Sequence, residues 1–126
     1  MQFSSLYVAL MTAVMSTQVL GSAQTNFGAT CSGESLASGH ILFATCGDGH
    51  GGEPTSSIDL NKCVTNSGGT LECQVNGGFA GTCNTCSIES GTTLACDCGD
   101  GHGGYPHTVL NLNNCLSNKN GQLTCP

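Results

Sequence analysis

Tryptophan and arginine are absent, and Lys62 and Lys119 are the only basic side chains against eight acidic ones. No basic patch is available to track phosphates, so nucleic acid is not an expected partner. The lack of tryptophan counts against ligand recognition by stacking. Helical periodicity is missing and glycine recurs throughout, so at most a single helical turn is expected near residues 61–65 and 113–117. No Asn-x-Ser/Thr acceptor occurs, and no N-glycan is expected on the chain itself. A serine nucleophile setting, a spare cysteine and a carboxylate pair at a defined separation are also lacking. The chain therefore does not read as an enzyme, and it calls for no cofactor.

What is abundant is repetition. The six-residue loop Gly47-Asp48-Gly49-His50-Gly51-Gly52 recurs as Gly99-Asp100-Gly101-His102-Gly103-Gly104, a lag of 52 residues, and 22 of the 48 positions in 27–74 are identical in 79–126. A duplicated unit with one shared fold follows. Residues 1–23 carry an apolar centre and end in small residues, which reads as a secretory signal cleaved before Gln24. The apolar run is short and interrupted by polar residues, against a membrane anchor. The remaining chain, 24–126, is long enough for one domain, and either repeat alone is too small to be stable without staples or its partner.

All ten cysteines follow the leader, a density typical of an oxidised, extracellular scaffold. If Ser38-Gly39 and Ser90-Gly91 are two-residue hairpin turns, opposed residues sum to 77 and 181. Those sums pair Cys31 with Cys46 and Cys83 with Cys98. Cys86 and Cys96 fall one step out of register in the second hairpin, and a bulge there reconciles them. The remaining local pairs are Cys63-Cys73 and Cys115-Cys125, each across a turn of type Asn-x-x-Gly. A zinc reading of the clustered thiols Cys83, Cys86, Cys96 and Cys98 is weakened because their repeat-mates lack the full cluster.

The glycine loops admit three chemistries. As a phosphate cradle they lack the lysine and following helix, and their Asp would repel an anion. As a metal site, with Asp48, His50, Asp100 and His102 as ligands, each loop offers too few donors unless others converge. As exposed connections whose glycines let a flat ligand approach the backbone, they fit a neutral partner. The Asn, Thr, Ser and Gly that dominate the sparsely charged surface supply donors and acceptors together, which sugar hydroxyls require.

The run Thr55-Ser56-Ser57-Ile58-Asp59-Leu60-Asn61, followed by Asn66, Gly69, Thr70 and Leu71, resembles the cyanovirin-N homology family of mannose-binding lectins. Leu110-Asn111-Leu112-Asn113 with Asn118, Asn120-Gly121 and Leu123 resembles that family's second half, and Phe27 and Phe79 each stand four residues before a cysteine. The resemblance implies an all-β, disulfide-rich, pseudo-symmetric fold of two intertwined repeats, each half a short antiparallel sheet plus a hairpin. It implies two carbohydrate pockets and no catalysis. Carried over by position, the first combines Gln24, Thr25, Asn26 and Thr30 with Gly47, Asp48, Gly49 and His50 and with Asn118, Lys119 and Asn120. The second combines Thr65, Asn66, Ser67 and Gly68 with Asn76, Gly77 and Thr82 and with Gly99, Asp100, Gly101, His102 and Gly103. Charged clamps of the familiar family member are replaced here by Thr65, Gly68, Gly81 and Gly101, and its tryptophan by Cys73.

The expectation is a secreted, extracellular lectin for mannose-rich oligosaccharides or glycoproteins, without membrane insertion, as a monomer or a domain-swapped dimer. Its rivals are a disulfide-rich defence or effector protein that binds another protein, and a metal-dependent site at the glycine loops.

Overall fold

The computed structural model describes residues 25–125. The leader and Gln24 lie outside the described residues. Ten strands form: β1 (Cys31–Ala37), β2 (Ile41–Cys46), β3 (Thr55–Asp59), β4 (Val64–Ser67), β5 (Thr70–Cys73), β6 (Cys83–Glu89), β7 (Thr93–Cys98), β8 (His107–Asn111), β9 (Ser117–Lys119) and β10 (Gln122–Thr124). The expected single turns after β3 and β8 are 3-10 turns at Leu60–Lys62 and Leu112–Asn114, capped by the side chains of Asp59 and Asn111. Two more, at Phe27–Ala29 and Phe79–Gly81, were not legible in the sequence. Among the described residues no helix is long and apolar enough to cross a membrane.

Each repeat contributes an antiparallel three-stranded sheet, β1-β2-β3 or β6-β7-β8, and a two-stranded hairpin, β4-β5 or β9-β10. The hairpins are exchanged. Leu71 N–H in β5 donates to Thr108 Oγ1 in β8, and Leu123 N–H in β10 donates to Ser56 Oγ in β3. Each half therefore takes its sheet from one repeat and its hairpin from the other. The exchanged hairpins turn at Gly68-Gly69 and Asn120-Gly121, where both central residues have positive φ, 59° and 99° in one and 55° and 93° in the other. That is the type I′ geometry whose twist matches flanking strands, and Asn and Gly are the residues that adopt it at least strain.

The Cys31-Cys46 and Cys83-Cys98 bonds form as expected, but the ladder reaches them differently. Next to the turns the partners are Ala37 with Ile41 and Glu89 with Thr93, one step off the two-residue register, and bulges between Ser32 and Ser35 and between Asn84 and Ser87 restore it at the cysteines. Gly33 (φ 67°) and Thr85 (φ 55°) absorb the extra residue. The second bulge is the one that the extra cysteines require, and Cys86 and Cys96 are bonded across it.

The other two pairings differ from the expectation. Cys63 bonds to Cys125 and Cys73 to Cys115, spanning 62 and 42 residues, in place of the local pairs Cys63-Cys73 and Cys115-Cys125. The reason is register. In the β4-β5 ladder Cys73 lies opposite Val64, so Cys63 is one residue beyond it. With β10 set beside β3, Cys125 arrives at the point where the chain leaves β3 for the other half, next to Cys63. Both bonds thus join one repeat to the other.

The core is symmetric. Phe27 and Phe79, Leu42 and Leu94, Leu60 and Leu112, Val64 and Leu116, and Leu71 and Leu123 are repeat-mates, and all are buried. Ala44 is buried at 1% exposure and its mate Cys96 at 0%, so the additional disulfide in the second half occupies a site that is apolar in the first. No polar or charged side chain is buried among the described residues. Whatever polar chemistry the protein does is therefore done at its surface.

One ionisable residue ties the fold to pH. Burial pushes the Asp59 carboxyl up, but the Asn61 N–H, the hydrogen bond from His40 Nδ1 at 2.9 Å and the charges of His40 and Lys62 together pull it below the usual carboxylate range. A carboxyl depressed in the folded state contributes stability above its unfolded pKa and loses that contribution as pH falls through its folded pKa. The repeat-mate Asn111 makes the same cap to Asn113 without a charge. Asp59→Asn is therefore expected to keep the cap while reducing the loss of thermal stability between pH 5 and 3. Melting curves across that range check it, and an unchanged slope would remove Asp59 from the acid response.

Candidate carbohydrate-binding sites

The same clip is built twice. Asn118 Nδ2 donates to Thr30 Oγ1 at 2.9 Å and to the Gly47 carbonyl at 2.8 Å, while its Oδ1 accepts from Gly121 N–H at 2.7 Å. Asn66 Nδ2 donates to Thr82 Oγ1 and to the Gly99 carbonyl, both at 2.9 Å, while its Oδ1 accepts from Gly69 N–H at 2.7 Å. Gly47 N–H and Gly99 N–H bond back to the carbonyls of Thr30 and Thr82. Three segments remote in sequence are held together in each half: the residues before β1 or β6, the glycine loop, and the turn of the exchanged hairpin. Both amide protons of each Asn are used, so these side chains position the surface around them.

The glycine loops are internally closed. Asp48 Oδ1 accepts from His50 N–H at 2.7 Å and from Gly52 N–H at 3.0 Å, and Asp100 repeats this with His102 and Gly104. A Cβ on Gly52 would stand 2.5 Å from Asp48 Oδ2, and one on Gly104 2.6 Å from Asp100 Oδ2, so each loop folds tightly over its own carboxylate. His50 Nδ1 and His102 Nδ1 lie 3.1 Å from the carbonyls of Asp48 and Asp100. That contact requires the proton on Nδ1, which leaves Nε2 of the neutral ring as an acceptor on an exposed side chain. Among the described residues no group of three or more His, Cys, Asp or Glu side chains is placed to hold a metal ion.

Most of the residues assigned to a pocket from sequence fall where these clips gather them. In the first half Thr30, Gly47 and Asn118 are bonded to one another. Asn26 N–H donates to the Asn113 carbonyl at 2.7 Å, at the turn where the chain passes from β8 to β9. Asp48 abuts the exchanged turn, its Cβ 3.2 Å from where a Cβ of Gly121 would lie, and exposed Lys119 and Asn120 flank it. Thr25 precedes them; Gly49 and His50 are exposed at the loop tip.

In the second half Thr82, Gly99, Gly101 and Gly103 line one open cavity of about 260 Å³, with Asn66 bonded to its rim and Asp100 against Gly69. Ser67, Gly68 and His102 are exposed beside it, and half-buried Thr65 bridges to Gly78. Gly77 is packed 2.5 Å, measured from a Cβ built on it, from the Val64 carbonyl oxygen, a structural position. Asn76, with φ 58°, lines a different groove beside Asp59, Lys62 and Cys125. The cavity also contains Tyr105, which the sequence reading passed over.

Fold and sites together define a small all-β protein, stapled by disulfides, that carries the same polar asparagine clip at the surface of each half and an open cavity beside the second. Residues 27–124 match the CVNH domain, and the chain belongs to that family of carbohydrate-binding proteins. Among solved structures it is similar to the CVNH protein of Gibberella zeae, at 27% identity over 79% of this chain and 96% of that one with a TM-score of 0.71. It is similar to the CVNH protein of T. borchii, at 26% identity over 80% and 99% with a TM-score of 0.70. It also resembles microvirin in a mannobiose complex, at 26% identity over 81% and 99% with a TM-score of 0.60.

Proposed function

We propose that this chain is a secreted, non-catalytic lectin that binds mannose-type oligosaccharides at two sites, one per half. The observation that carries the reading is the duplicated asparagine clip. The same three-segment junction is rebuilt with bonds of 2.7 to 2.9 Å in both halves, including partners up to 88 residues apart. A merely structural need for stability would be met by the core and the disulfides. An exposed junction of glycine loop, hydroxyl and amide kept in both copies fits a surface that docks a ligand. The mannobiose complex of microvirin supports mannosides as the ligand class. The disulfide density supports an extracellular site of action.

Binding to a glycan array, competed by free mannosides, tests this reading against a protein-binding effector. Because the loop carboxylates are engaged within their own loops, EDTA is expected to leave glycan binding unchanged, and moderate salt likewise. Loss of binding in EDTA with recovery on added calcium or zinc would instead make Asp48, His50, Asp100 and His102 ligands.

A further inference from the structure

The two sites differ in the residue that follows each glycine loop. Glu53 follows the first glycine loop and Tyr105 follows the second, and they are repeat-mates set between an identical six-residue loop and a proline, Pro54 or Pro106. Tyr105 is 58% exposed, the most exposed large hydrophobic side chain among the described residues. It forms a wall of the second cavity, whose remaining lining is almost entirely glycine: Gly81, Gly99, Gly101, Gly103 and Gly104, with Thr82 as the exception. A Cβ on Gly99 would meet Tyr105 Cε2 at 3.5 Å and Cζ at 3.8 Å, so one edge of the ring rests on the Gly99 backbone. That glycine is the one fixed by Asn66 and Thr82. On its other side Tyr105 is followed by Pro106, whose ring fixes φ and whose carbonyl accepts from Cys98 N–H at 3.0 Å. An aromatic ring is thus held at both ends of its attachment, yet most of it is open, and glycine lining places almost no side chain between it and a ligand.

We propose that Tyr105 is the platform on which the apolar C–H face of a pyranose lies in the second site, making that site the stronger of the two. A pyranose presents hydroxyls around its rim and clustered C–H groups on a face. The clip region offers the rim neutral donors and acceptors, and a tyrosine offers the face a large apolar body with few torsions to freeze. At the first site the exposed carboxylate of Glu53 stands in the ring's place and can only accept hydrogen bonds from hydroxyls. The proposal rests on the lectin reading above and adds which site dominates and by what contact.

The chain contains no tryptophan and two tyrosines, Tyr7 and Tyr105. In the full chain carrying Tyr7→Phe, all intrinsic tyrosine fluorescence reports on the second site, whether or not the N-terminal stretch is removed. Titration with mannobiose, followed in parallel by calorimetry and by tyrosine fluorescence, is expected to give a fluorescence change that saturates with the tighter calorimetric phase. Adding Tyr105→Ala is expected to weaken that phase about tenfold, and Tyr105→Phe, which keeps the ring, to recover most of the loss. Circular dichroism confirms that the exposed substitutions leave the fold intact. Absence of heat at either site in the starting protein overturns the lectin reading and this inference together. Heat of binding with silent fluorescence, or with unchanged affinities in Tyr105→Ala, overturns the inference and leaves the lectin reading standing.

Discussion

In a protein whose Cys73 and Cys115 are already serine, replacing Cys63 and Cys125 by serine as well is expected to lower the free energy of unfolding by about 4 kcal/mol, against about 3 kcal/mol for removing Cys31-Cys46. The difference comes from the length of chain each bond closes, 62 residues against 15. In the chain-entropy account, a longer loop excludes more of the unfolded ensemble. For a domain of this size, a loss of about 4 kcal/mol corresponds to a fall in Tm of about 15 to 30 °C. Chemical denaturation of these serine variants measures the ordering directly. Peptide mapping without reduction should recover Cys63 linked to Cys125 and Cys73 linked to Cys115. If the local pairs Cys63-Cys73 and Cys115-Cys125 were recovered instead, the long-range assignment and its extra stabilisation would both fall.

The second large effect is on avidity. Asn66→Ala and Asn118→Ala each remove three hydrogen bonds that join a hairpin turn to a glycine loop, and each should disable only the site it organises. The count of small mannosides bound per chain should fall from two to one in either variant. The same change should weaken attachment to a densely glycosylated surface by about 10²- to 10⁴-fold, because the second contact on a rigid two-site body is intramolecular. Stability should fall by only about 1 kcal/mol per bond left unmade, since the clips lie at the surface. Surface plasmon resonance on a mannan-coated chip, beside calorimetry with a monosaccharide, separates the two effects. A variant that still binds two sugars would show that its clip does not organise a site.

Local features were readable in the chain because local chemistry determines them. Asn120-Gly121 and Gly68-Gly69 announce tight turns, and Ser38-Gly39 announces the first hairpin; Cys31-Cys46 and Cys83-Cys98 follow by counting. That counting succeeded through two offsetting shifts, a ladder displaced next to the turn and a bulge further along. The long-range cystines were not readable as pairs, since their proximity depends on hairpins crossing to the other repeat's sheet. A warning was present all the same: 63 and 73 miss the register of their own turn by one residue, as do 115 and 125.

At the site, the segments that the sequence places in each pocket are the ones that the asparagine clips join, and the structure adds how individual side chains are engaged. Asp48 and Asp100 look like contact residues, and their carboxylates are engaged in closing their own loops. Tyr105 belongs to none of the repeated motifs, and the absence of tryptophan points away from stacking. Its distinguishing signal was available, as the one aromatic beside either glycine loop.

The two cystines that run between repeats also give the molecule a record of how it was assembled. Suppose two chains exchanged everything after β5, so that β1 to β5 of one completed β6 to β10 of the other. The three hairpin cystines would remain within a chain, but Cys63-Cys125 and Cys73-Cys115 would now tie the chains covalently. Oxidation therefore freezes whichever partnership the halves have at that moment. Single chains and exchanged pairs become separate, non-interconverting populations, set by chain concentration at the time of disulfide closure and indifferent to dilution afterwards.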